Sequence, residues 1–369
     1  MMKPGERLRA TYEFRPCDHL VRREFYIWNE AIERWKREGL PDDYEQRNVF
    51  QFDPPATIQT NVNLGWCEPP FLPAYEERLI EQNGETEIIQ DNAGRWLRVF
   101  KGRRHGFMPE YIKHPVSNER DWSEHVQPRL DPNADQRHPN LERDCKNAAQ
   151  HRSESEIMVS QNIIGGYMYL RALMGPEDLL YAFHDQPQLI HIMMRQWVRL
   201  VGDAMERIQA HIELDEIVMA EDICYNHGLL IAPAMVREFL LPYYAEMVSA
   251  ARRRQQRRIY MIVDTDGWAA PAIPLYRAIG MDAMMPFEVA SGCDVVAMGR
   301  EWPDLVLLGG IDKRVLAAGP AAIDRHLAHI LPAMRARGGY IPTCDHGVPD
   351  DVSLENYLYY RKRVCEMDH

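Results

Sequence analysis

The chain has 369 residues, of which 46% are hydrophobic, and its formal net charge is -12 at pH 7. This length and composition allow two ordinary domains or one large α/β barrel with insertions and exclude a disordered chain as the default, while the negative charge argues against a general binder of nucleic acid. The seven cysteines include no CxxC pair and are typical of reduced thiols, and because we find neither an apolar run long enough for a membrane span nor a signal-peptide core, we expect a cytoplasmic protein.

The first third of the chain carries an amphipathic pattern. In the segment EFYIWNEAIERWKREGL, residues 24–40, apolar side chains recur at helical spacing until Gly39 ends the pattern. The recurring residues are Phe25, Trp28, Ile32 and Trp35. We predict a helix whose apolar face packs against the core and has no direct functional role.

A different pattern lies between Leu79 and Val99. Polar and apolar residues alternate there, and turn sequences occur at Asn83-Gly84 and at Asn92-Ala93-Gly94. This combination predicts a small antiparallel β-meander. Because a meander does not belong to the core of a parallel barrel, we interpret it as an insertion over one end of the main domain.

After about residue 140 short apolar runs alternate with helical patterns, which predicts parallel strands with helices outside them. Six runs fit: IMVS (157–160), EIVMA (216–220), IYMIV (259–263), DAMMPF (282–287), LVLLGG (305–310) and YIPT (340–343). One more strand is expected to end near NVNLGW (61–66), and an eighth has no clear position. We predict an α/β fold, a (β/α)8 TIM barrel, in which residues 1–139 form an N-terminal extension with helices, the first barrel strand and the meander, and residues 140–369 form the main part of the barrel.

Polar side chains follow nearly all of these apolar runs. The carboxyl ends of the strands of a parallel barrel open on one face, where catalytic residues collect. The polar residues at the strand ends are Asn63, Gln161, Asn162, Glu221, Asp222, Asp264, Asp266, Glu288, Asp312, Cys344, Asp345 and His346. Six of them are predicted to open into one cavity: Asn63, Glu221, Asp264, Asp266, Glu288 and His346.

Glu221 and Asp222 are adjacent carboxyls at one strand end, with Tyr225 shortly after them. Adjacent carboxylates repel each other and raise one pKa, which keeps a proton available for general acid catalysis. The alternative is a helix cap or an ion pair. His346 is likewise a candidate proton donor or a structural histidine, with Asp345 able to orient its ring in either case, and Asp312 is a site residue or an ordinary helix N-cap.

Four motifs, in this order, carry a resemblance to a known group: EDICYNHGLLIAPAMVREFLLPYY, VDTDGW, GGIDKR and CDHGVPDDVSLENYLYY. From about residue 140 to the C-terminus the chain resembles the uroporphyrinogen decarboxylase superfamily. The resemblance implies a (β/α)8 barrel. It also implies one of two activities, because the group contains tetrapyrrole decarboxylases and methyltransferases that serve corrinoid proteins.

The resemblance to the decarboxylases is incomplete. His346 matches the pocket histidine of their last-strand motif, but their N-terminal Arg-Gln-Ala-Gly-Arg motif has no counterpart in this sequence. Asn63 stands where those enzymes carry an aspartate that holds the pyrrole nitrogens. Since an amide has no negative charge to stabilise a protonated pyrrole, we expect no decarboxylation of uroporphyrinogen.

The resemblance to thiol-directed methyltransferases implies a metal site. Those enzymes hold zinc with a His-x-Cys pair and a cysteine after the last strand, and Asp264, Asp266 and Cys344 occupy these positions here. Two acids and one thiol form a harder ligand set than histidine and cysteine, so the sequence predicts zinc or another divalent metal without thiol activation. The alternative is a cluster of carboxyls that share protons with His346.

Two functions follow as hypotheses. The first is a demethylase component that moves a methyl group between a small methoxylated or methylated compound and the cobalamin of a separate corrinoid protein; the alternative is a decarboxylase acting on a tetrapyrrole or other polycarboxylate. The acidic strand ends have the wrong sign for a polycarboxylate, which favours the first. The predicted catalytic residues are Glu221, Asp222, His346, Asn63 and Tyr225. The expected partners are the methyl donor and the corrinoid protein, with no nucleic acid or membrane, and a homodimer is an open alternative to a monomer.

Overall fold

The computed structural model describes residues 2–102, 109–134 and 136–367. The α-helices are α1 (Pro4–Tyr12), α2 (Asn29–Arg37), α3 (Glu119–Asp121), α4 (Leu141–Ser155), α5 (Gly166–Met174), α6 (Pro176–Asp185), α7 (Pro187–Gln209), α8 (Pro233–Phe239), α9 (Leu241–Arg253), α10 (Ile273–Arg277), α11 (Val295–Glu301), α12 (Lys313–Ala318), α13 (Pro320–Arg337) and α14 (Leu354–Glu366). The strands are β1 (Thr57–Gln59), β2 (Arg78–Asn83), β3 (Thr86–Gln90), β4 (Trp96–Phe100), β5 (Glu110–Lys113), β6 (Met158–Ile164), β7 (Glu216–Ala220), β8 (Cys224–Tyr225), β9 (Gly228–Leu229), β10 (Tyr260–Asp264), β11 (Ala283–Met285), β12 (Val306–Leu308) and β13 (Tyr340–Ile341). A π-helix (Trp122–Val126) and two 3-10 helices (Gln127–Leu130, Val289–Ser291) complete the set.

The main sheet is curled and entirely parallel, with the order β1-β6-β7-β10-β11-β12-β13. The strands neighbour one another in chain order, and most connections carry helices, as in a (β/α) barrel. All six strands predicted after residue 140 are present. The fold class is therefore confirmed, but the described residues form seven parallel strands rather than eight, and the first strand lies at Thr57–Gln59, before NVNLGW.

Residues 20–28 occupy the gap between the last strand and the first. On one side the backbone N–H of Trp28 donates to the carbonyl of Val348 at 3.1 Å, and the N–H of Val348 donates to the carbonyl of Tyr26 at 2.8 Å. On the other side the N–H of Asp53, just before β1, donates to the carbonyl of Arg22 at 2.8 Å. The segment completes the ring without forming a ladder, which explains why no eighth strand could be placed.

The predicted helix in residues 24–40 is shorter than its pattern indicated. Helix α2 begins at Asn29, so Phe25 and Trp28 lie in the segment before it and line the barrel cavity. The expectation that both residues pack only on a helix face was wrong. Ile32 and Trp35 do lie on the helix and pack in the core, as expected.

Two apolar layers hold the barrel together, and they follow from the alternation of side chains along each strand. On β10, Met261 and Val263 face the layer between strands and helices, whereas Tyr260 and Ile262 face the barrel interior. The interior layer also receives Leu8 and Tyr12 of α1, together with apolar side chains of β6, β11, β12 and β13. Helix α1 thereby closes the amino-terminal end of the barrel.

The predicted meander is confirmed as an antiparallel sheet in the order β2-β3-β4-β5. Arg95, in the turn before β4, forms ion pairs with Asp91 and with Glu68, both at 2.7 Å. Because Glu68 belongs to the chain that follows β1, this contact fixes the meander beside the carboxyl ends of the first barrel strands. Within the described ranges, no helix is long and apolar enough to cross a membrane.

We expect Tyr12→Phe to destabilise the fold by about 1–3 kcal/mol, because it leaves a buried carboxylate of Glu216 without its hydroxyl donor. The Tyr12 hydroxyl donates to Glu216 Oε2 at 2.8 Å, and Glu216 is 3% exposed. Urea unfolding would measure the change. The matched control is Tyr359→Phe, which removes a similar bond to Asp324 at the surface and is expected to cost much less. Equal losses in the two variants would show that α1 does not close the barrel through this bond.

Candidate functional site

A cavity of about 610 Å³ occupies the barrel interior and opens at the carboxyl ends of the strands. Tyr12 and Glu216 lie at its floor. Near its mouth are Asp222, Asp264, Asp266 and His346 from the strand ends, with Phe25 and Trp28 from the segment that completes the ring. The structure therefore brings together, in one cavity, three carboxyls and one imidazole that the sequence predicted as site residues.

His346 is paired with Asp266. The distance from His346 Nε2 to Asp266 Oδ2 is 3.5 Å, and the Asp266 carboxylate raises the pKa of His346 against the opposing effect of burial. Trp28 stacks on the imidazole with ring centroids 6.1 Å apart and an interplanar angle of 22°. Gly347 makes this stacking sterically feasible, since a Cβ there would come within 2.5 Å of the indole nitrogen of Trp28.

Asp222 and Asp264 complete the acidic wall. Asp264 is only 8% exposed, and burial together with the charges of Asp266 and Asp222 raises its pKa well above the usual range, which favours the protonated form. Burial and Asp266 also raise the pKa of Asp222, whereas an ion pair with Arg171 at 3.3 Å lowers it. The raised pKa values of Asp264 and Asp222 favour their protonated forms beside the carboxylate of Asp266.

Glu221 does not open into the cavity, contrary to the prediction. Its side chain is 0% exposed, and its Oε1 accepts hydrogen bonds from the hydroxyls of Tyr244 and Tyr276 while Oε2 accepts from the backbone N–H of Tyr167 at 3.2 Å. Burial raises the pKa of Glu221 to about 8, against these three bonds. Because Tyr167 lies in the first turn of α5, Glu221 fixes the start of that helix and is not placed to touch a substrate.

Three other predicted members lie elsewhere. Glu288 pairs with Lys313 at 3.0 Å and accepts from the N–H of Gly267, and it does not line the cavity. Tyr225 is 46% exposed on the short strand β8, outside the cavity lining. Asn63 faces a neighbouring pocket rather than this cavity. Of the six strand-end residues expected to share one cavity, Asp264, Asp266 and His346 do so, whereas Asn63, Glu221 and Glu288 do not.

Asp312 and Asp345 have structural roles and do not belong to the cavity. Asp312 is the N-cap of α12 and accepts from the N–H of Arg314 at 2.9 Å. Asp345 is buried and accepts from the N–H groups of Val289 and Lys313 at 2.9 and 3.0 Å, so it ties loops together and does not orient His346.

The residues predicted to bind a metal are not assembled for that purpose. Cys344 is buried, its N–H donates to Glu24 Oε1 at 2.6 Å, and burial raises the pKa of its thiol well above the usual range, which disfavours the thiolate that binds metals. Asp264 and Asp266 line the cavity, but Cys344 does not. Within the described ranges, no group of three or more His, Cys, Asp or Glu side chains is placed to hold a metal ion.

Residues 20–28 contribute to the site, which the sequence pattern did not indicate. Val21 packs in the interior layer, and Arg23, Glu24, Phe25, Tyr26 and Trp28 all line the cavity, so the segment forms one wall of the site. The helical pattern of the following residues gave no signal of this role, because Phe25 and Trp28 also fit the spacing of a helix face. The guanidinium of Arg23 has no ion pair with another side chain in the part of the chain that the structure describes.

Comparisons with known proteins agree with this architecture. A family model described as uroporphyrinogen decarboxylase (URO-D) matches residues 106–366. Proteins named uroporphyrinogen decarboxylase from Hydrogenovibrio crunogenus and Azotobacter vinelandii are 24% identical over 196 residues and 29% identical over 191 residues. Each match covers 50% of this chain and 50% of the relative, so the matched region spans about half the length of these relatives.

A solved structure described as a methyltransferase from Methanosarcina mazei has a TM-score of 0.62 to this chain. The match covers 99% of each chain at 13% sequence identity. At that identity the similarity concerns the fold alone, and it extends over the N-terminal residues as well as the barrel.

We expect Glu221→Gln to destabilise the protein by about 1–3 kcal/mol, because an amide brings two N–H hydrogens, where the protonated carboxyl has one O–H, to a buried position surrounded by three donors. The effect should also depend on pH. With a folded pKa raised to about 8, wild-type Glu221 makes the protein lose stability as pH rises from about 5 to 8, since the native state then holds a proton that the unfolded state has released. The variant should lack this part of the pH dependence.

Thermal unfolding across this pH range measures both effects. The matched control is Glu246→Gln at the surface, where the carboxylate pairs with Arg195 and is 51% exposed. A Glu221→Gln protein with wild-type stability at every pH would contradict the helix-anchoring role.

Proposed function

The chain belongs to the uroporphyrinogen decarboxylase family, and we propose that it is a methyltransferase of this family, moving a methyl group between a small methoxylated or methylated compound and the cobalamin of a corrinoid partner protein. The family contains both methyltransferases and decarboxylases. The observation that carries the proposal is the pairing of His346 with Asp266 in a cavity walled by Asp222 and Asp264.

Removal of a methyl group from an ether requires a proton at the oxygen that leaves. The bond between the methyl carbon and this oxygen breaks, its electron pair stays on the oxygen, and a proton must neutralise the resulting alkoxide. His346 can donate that proton because Asp266 favours its protonated form. The partner's cobalamin would supply the nucleophile that accepts the methyl group.

The aromatic side chains at the mouth support the positioning of a small organic compound. Trp28 lies against His346, and Phe25 lies at a centroid distance of 6.0 Å from the same imidazole. Tyr26 and Trp28 are 46% and 42% exposed, so the mouth offers apolar surface to an incoming molecule. A methyl donor seated between these rings and the acids would place its ether oxygen near His346.

No step of this proposal passes through a metal in the chain itself, because the ligand set Asp264, Asp266 and Cys344 does not fit one. Lewis-acid activation is replaced by proton transfer from the cluster of carboxyls and His346.

The alternative function is a decarboxylase acting on a tetrapyrrole or another polycarboxylate. The names of the two curated relatives favour it. The composition of the cavity does not, since among the described residues that line it Arg23 is the one arginine, beside the carboxyls of Glu24, Glu216, Asp222, Asp264 and Asp266. A substrate with many carboxylates would therefore find few cations to pair with in this cavity.

Methyl-transfer assays with free cob(I)alamin and a panel of methoxylated and methylated compounds test the proposal directly. Formation of methylcobalamin from at least one donor is the expected result, and His346→Ala should lower its rate by about a hundredfold or more through the loss of a general acid. A panel that yields no methylcobalamin, with an active corrinoid partner also supplied, would sink the methyltransferase proposal.

The pH dependence of this reaction should respond to Asp266→Asn. Asp266 raises the pKa of His346, so without the carboxylate the imidazole loses its proton at a lower pH. The alkaline limb of the profile of kcat/KM should therefore shift to lower pH. Asp294→Asn is the matched control, because Asp294 lies 3.6 Å from His329 at the surface. This variant should leave the alkaline limb of the profile unchanged. An unshifted limb in Asp266→Asn would rule out His346 as the acid.

We expect no decarboxylation of uroporphyrinogen by the purified protein. The described lining of the cavity offers a polycarboxylate few cations, and Asn63 supplies no charge to a protonated pyrrole and faces another pocket. Chromatography of the porphyrins obtained after oxidation of the reaction mixture measures the result, with an authentic uroporphyrinogen decarboxylase as the positive control. Appearance of coproporphyrin above the background without enzyme would favour the alternative function.

A further inference from the structure

A second pocket, of about 560 Å³, lies between the carboxyl ends of β1 and β6 and the meander. Its composition is unusual because six of its lining residues carry side-chain amides. They are Gln59, Asn61, Asn63, Asn92, Gln161 and Asn162. We call this space the amide pocket.

Several of these amides have hydrogen-bonding groups to spare. Gln161 is satisfied by Thr60 and by the carbonyls of Val62 and Asn162. Gln59 donates to Asn162 Oδ1 at 3.2 Å, which leaves Gln59 Oε1 and Asn162 Nδ2 available.

The remaining three amides add further groups. Asn63 accepts from the N–H of Gly65 and keeps its Nδ2 group available. The side chains of Asn61 and Asn92 make no hydrogen bond to the part of the chain that the structure describes, and both are exposed. The pocket thus presents several unused donors and acceptors on neutral groups.

The pocket offers little net charge to a ligand. Glu68 is the one ionisable residue among its described lining residues, and its carboxylate pairs with Arg95 at 2.7 Å. An anion would find no cation here, and a cation would find no free carboxylate. The chemistry therefore selects a neutral group that both donates and accepts hydrogen bonds, which describes a primary amide.

The amide pocket shares a wall with the acidic cavity. Gln59, Trp66 and Asn162 line both spaces. One ligand can therefore have its reacting centre above the cavity and its neutral polar groups in the pocket. A corrin ring has this form, since the cobalt lies at its centre and primary amide side chains surround its edge.

We propose that the amide pocket receives side-chain amides of the corrin ring when the partner presents its cobalamin. This inference rests on the proposed function and adds to it the place where the corrin is held. Paired amides can form two hydrogen bonds at once, which fixes orientation as well as contributing affinity. Gln59, Trp66 and Asn162, which line both spaces, would hold the corrin beside the acidic cavity.

Binding of hydroxocobalamin, measured by calorimetry and by quenching of tryptophan fluorescence, tests this inference without turnover. Asn61→Asp and Asn92→Asp each replace an amide donor by a carboxylate of the same shape, and each should raise the Kd about tenfold. Asn61 has a φ of +58°, a conformation that Asp tolerates, so the change should leave the backbone intact. Asn83→Asp on the tip of the β2–β3 hairpin adds the same charge outside the pocket and should leave the Kd unchanged.

A complementary experiment changes the ligand. Monocarboxylate derivatives of hydroxocobalamin, in which one corrin amide is hydrolysed, should bind wild type more weakly than the parent compound, and at least one should show a smaller loss in Asn61→Asp or Asn92→Asp than additivity predicts. Wild-type binding in both variants, or no binding of hydroxocobalamin by the wild type at millimolar concentration, would overturn the inference. If methyl transfer persists in that case, the proposed function stands and only the role of the amide pocket is refuted. If corrin binding depends on the amides but no methyl donor is turned over, only the proposed function is refuted.

Discussion

The carboxylate of Glu24 is the contact on which the site depends. It accepts hydrogen bonds from the N–H of Cys344 at 2.6 Å and from the hydroxyl of Tyr357 at 3.0 Å, and so it fastens residues 20–28 to the end of the last strand and to α14. Burial raises the pKa of Glu24, and Arg361 opposes this effect. A buried acid held by these donors is costly to displace. Its position determines where Arg23, on one side, and Phe25, on the other, enter the cavity.

The contact with Glu24 also explains why Cys344 is buried and does not line the cavity. The cysteine belongs to the joint between the first and last parts of the ring, with its N–H used by Glu24 and its thiol buried beside Asp345. Two residues later the chain emerges, and His346 reaches the cavity. The three residues of the motif CDH therefore have different roles. Cys344 contacts Glu24 through its N–H, Asp345 holds neighbouring loops together, and His346 lines the cavity.

The sequence predicted the barrel strands well because a buried parallel strand is a short apolar run with few alternatives. EIVMA was placed with its correct limits, Glu216–Ala220. The same pattern does not predict the direction of side chains after a strand ends. Glu221 points into the layer beneath α5 and Asp222, with a φ of +27°, points into the cavity. Adjacent acids with opposite environments cannot be distinguished by composition or spacing.

The side chains predicted as metal ligands are not grouped in the structure, for a related reason. Asp264 and Asp266 lie at the end of β10 and Cys344 follows β13, and strands β11 and β12 lie between them in the sheet. Residues near one cavity do not necessarily converge on one metal ion. Ligands must converge within about 2–2.5 Å of one point, which sequence spacing cannot specify between distant strands. Proton sharing is less demanding, since carboxyls that are several ångströms apart still alter each other's pKa. The cluster of Asp222, Asp264 and Asp266 meets the second condition and, within the described residues, not the first.

The closed end of the barrel places an order on the reaction that we propose. Because Leu8 and Tyr12 of α1 fill the amino-terminal end, a small molecule enters the cavity from the face on which the amide pocket also opens. A corrin seated across that face would cover the mouth and exclude water from His346 and the acids, which strengthens their electrostatic effect on the leaving oxygen. In the proposed reaction the methyl donor would therefore bind before the corrin, and the cavity of about 610 Å³ would accept only a small donor. In this proposal the single open face of the barrel determines both the size of the donor and the order in which donor and corrin bind.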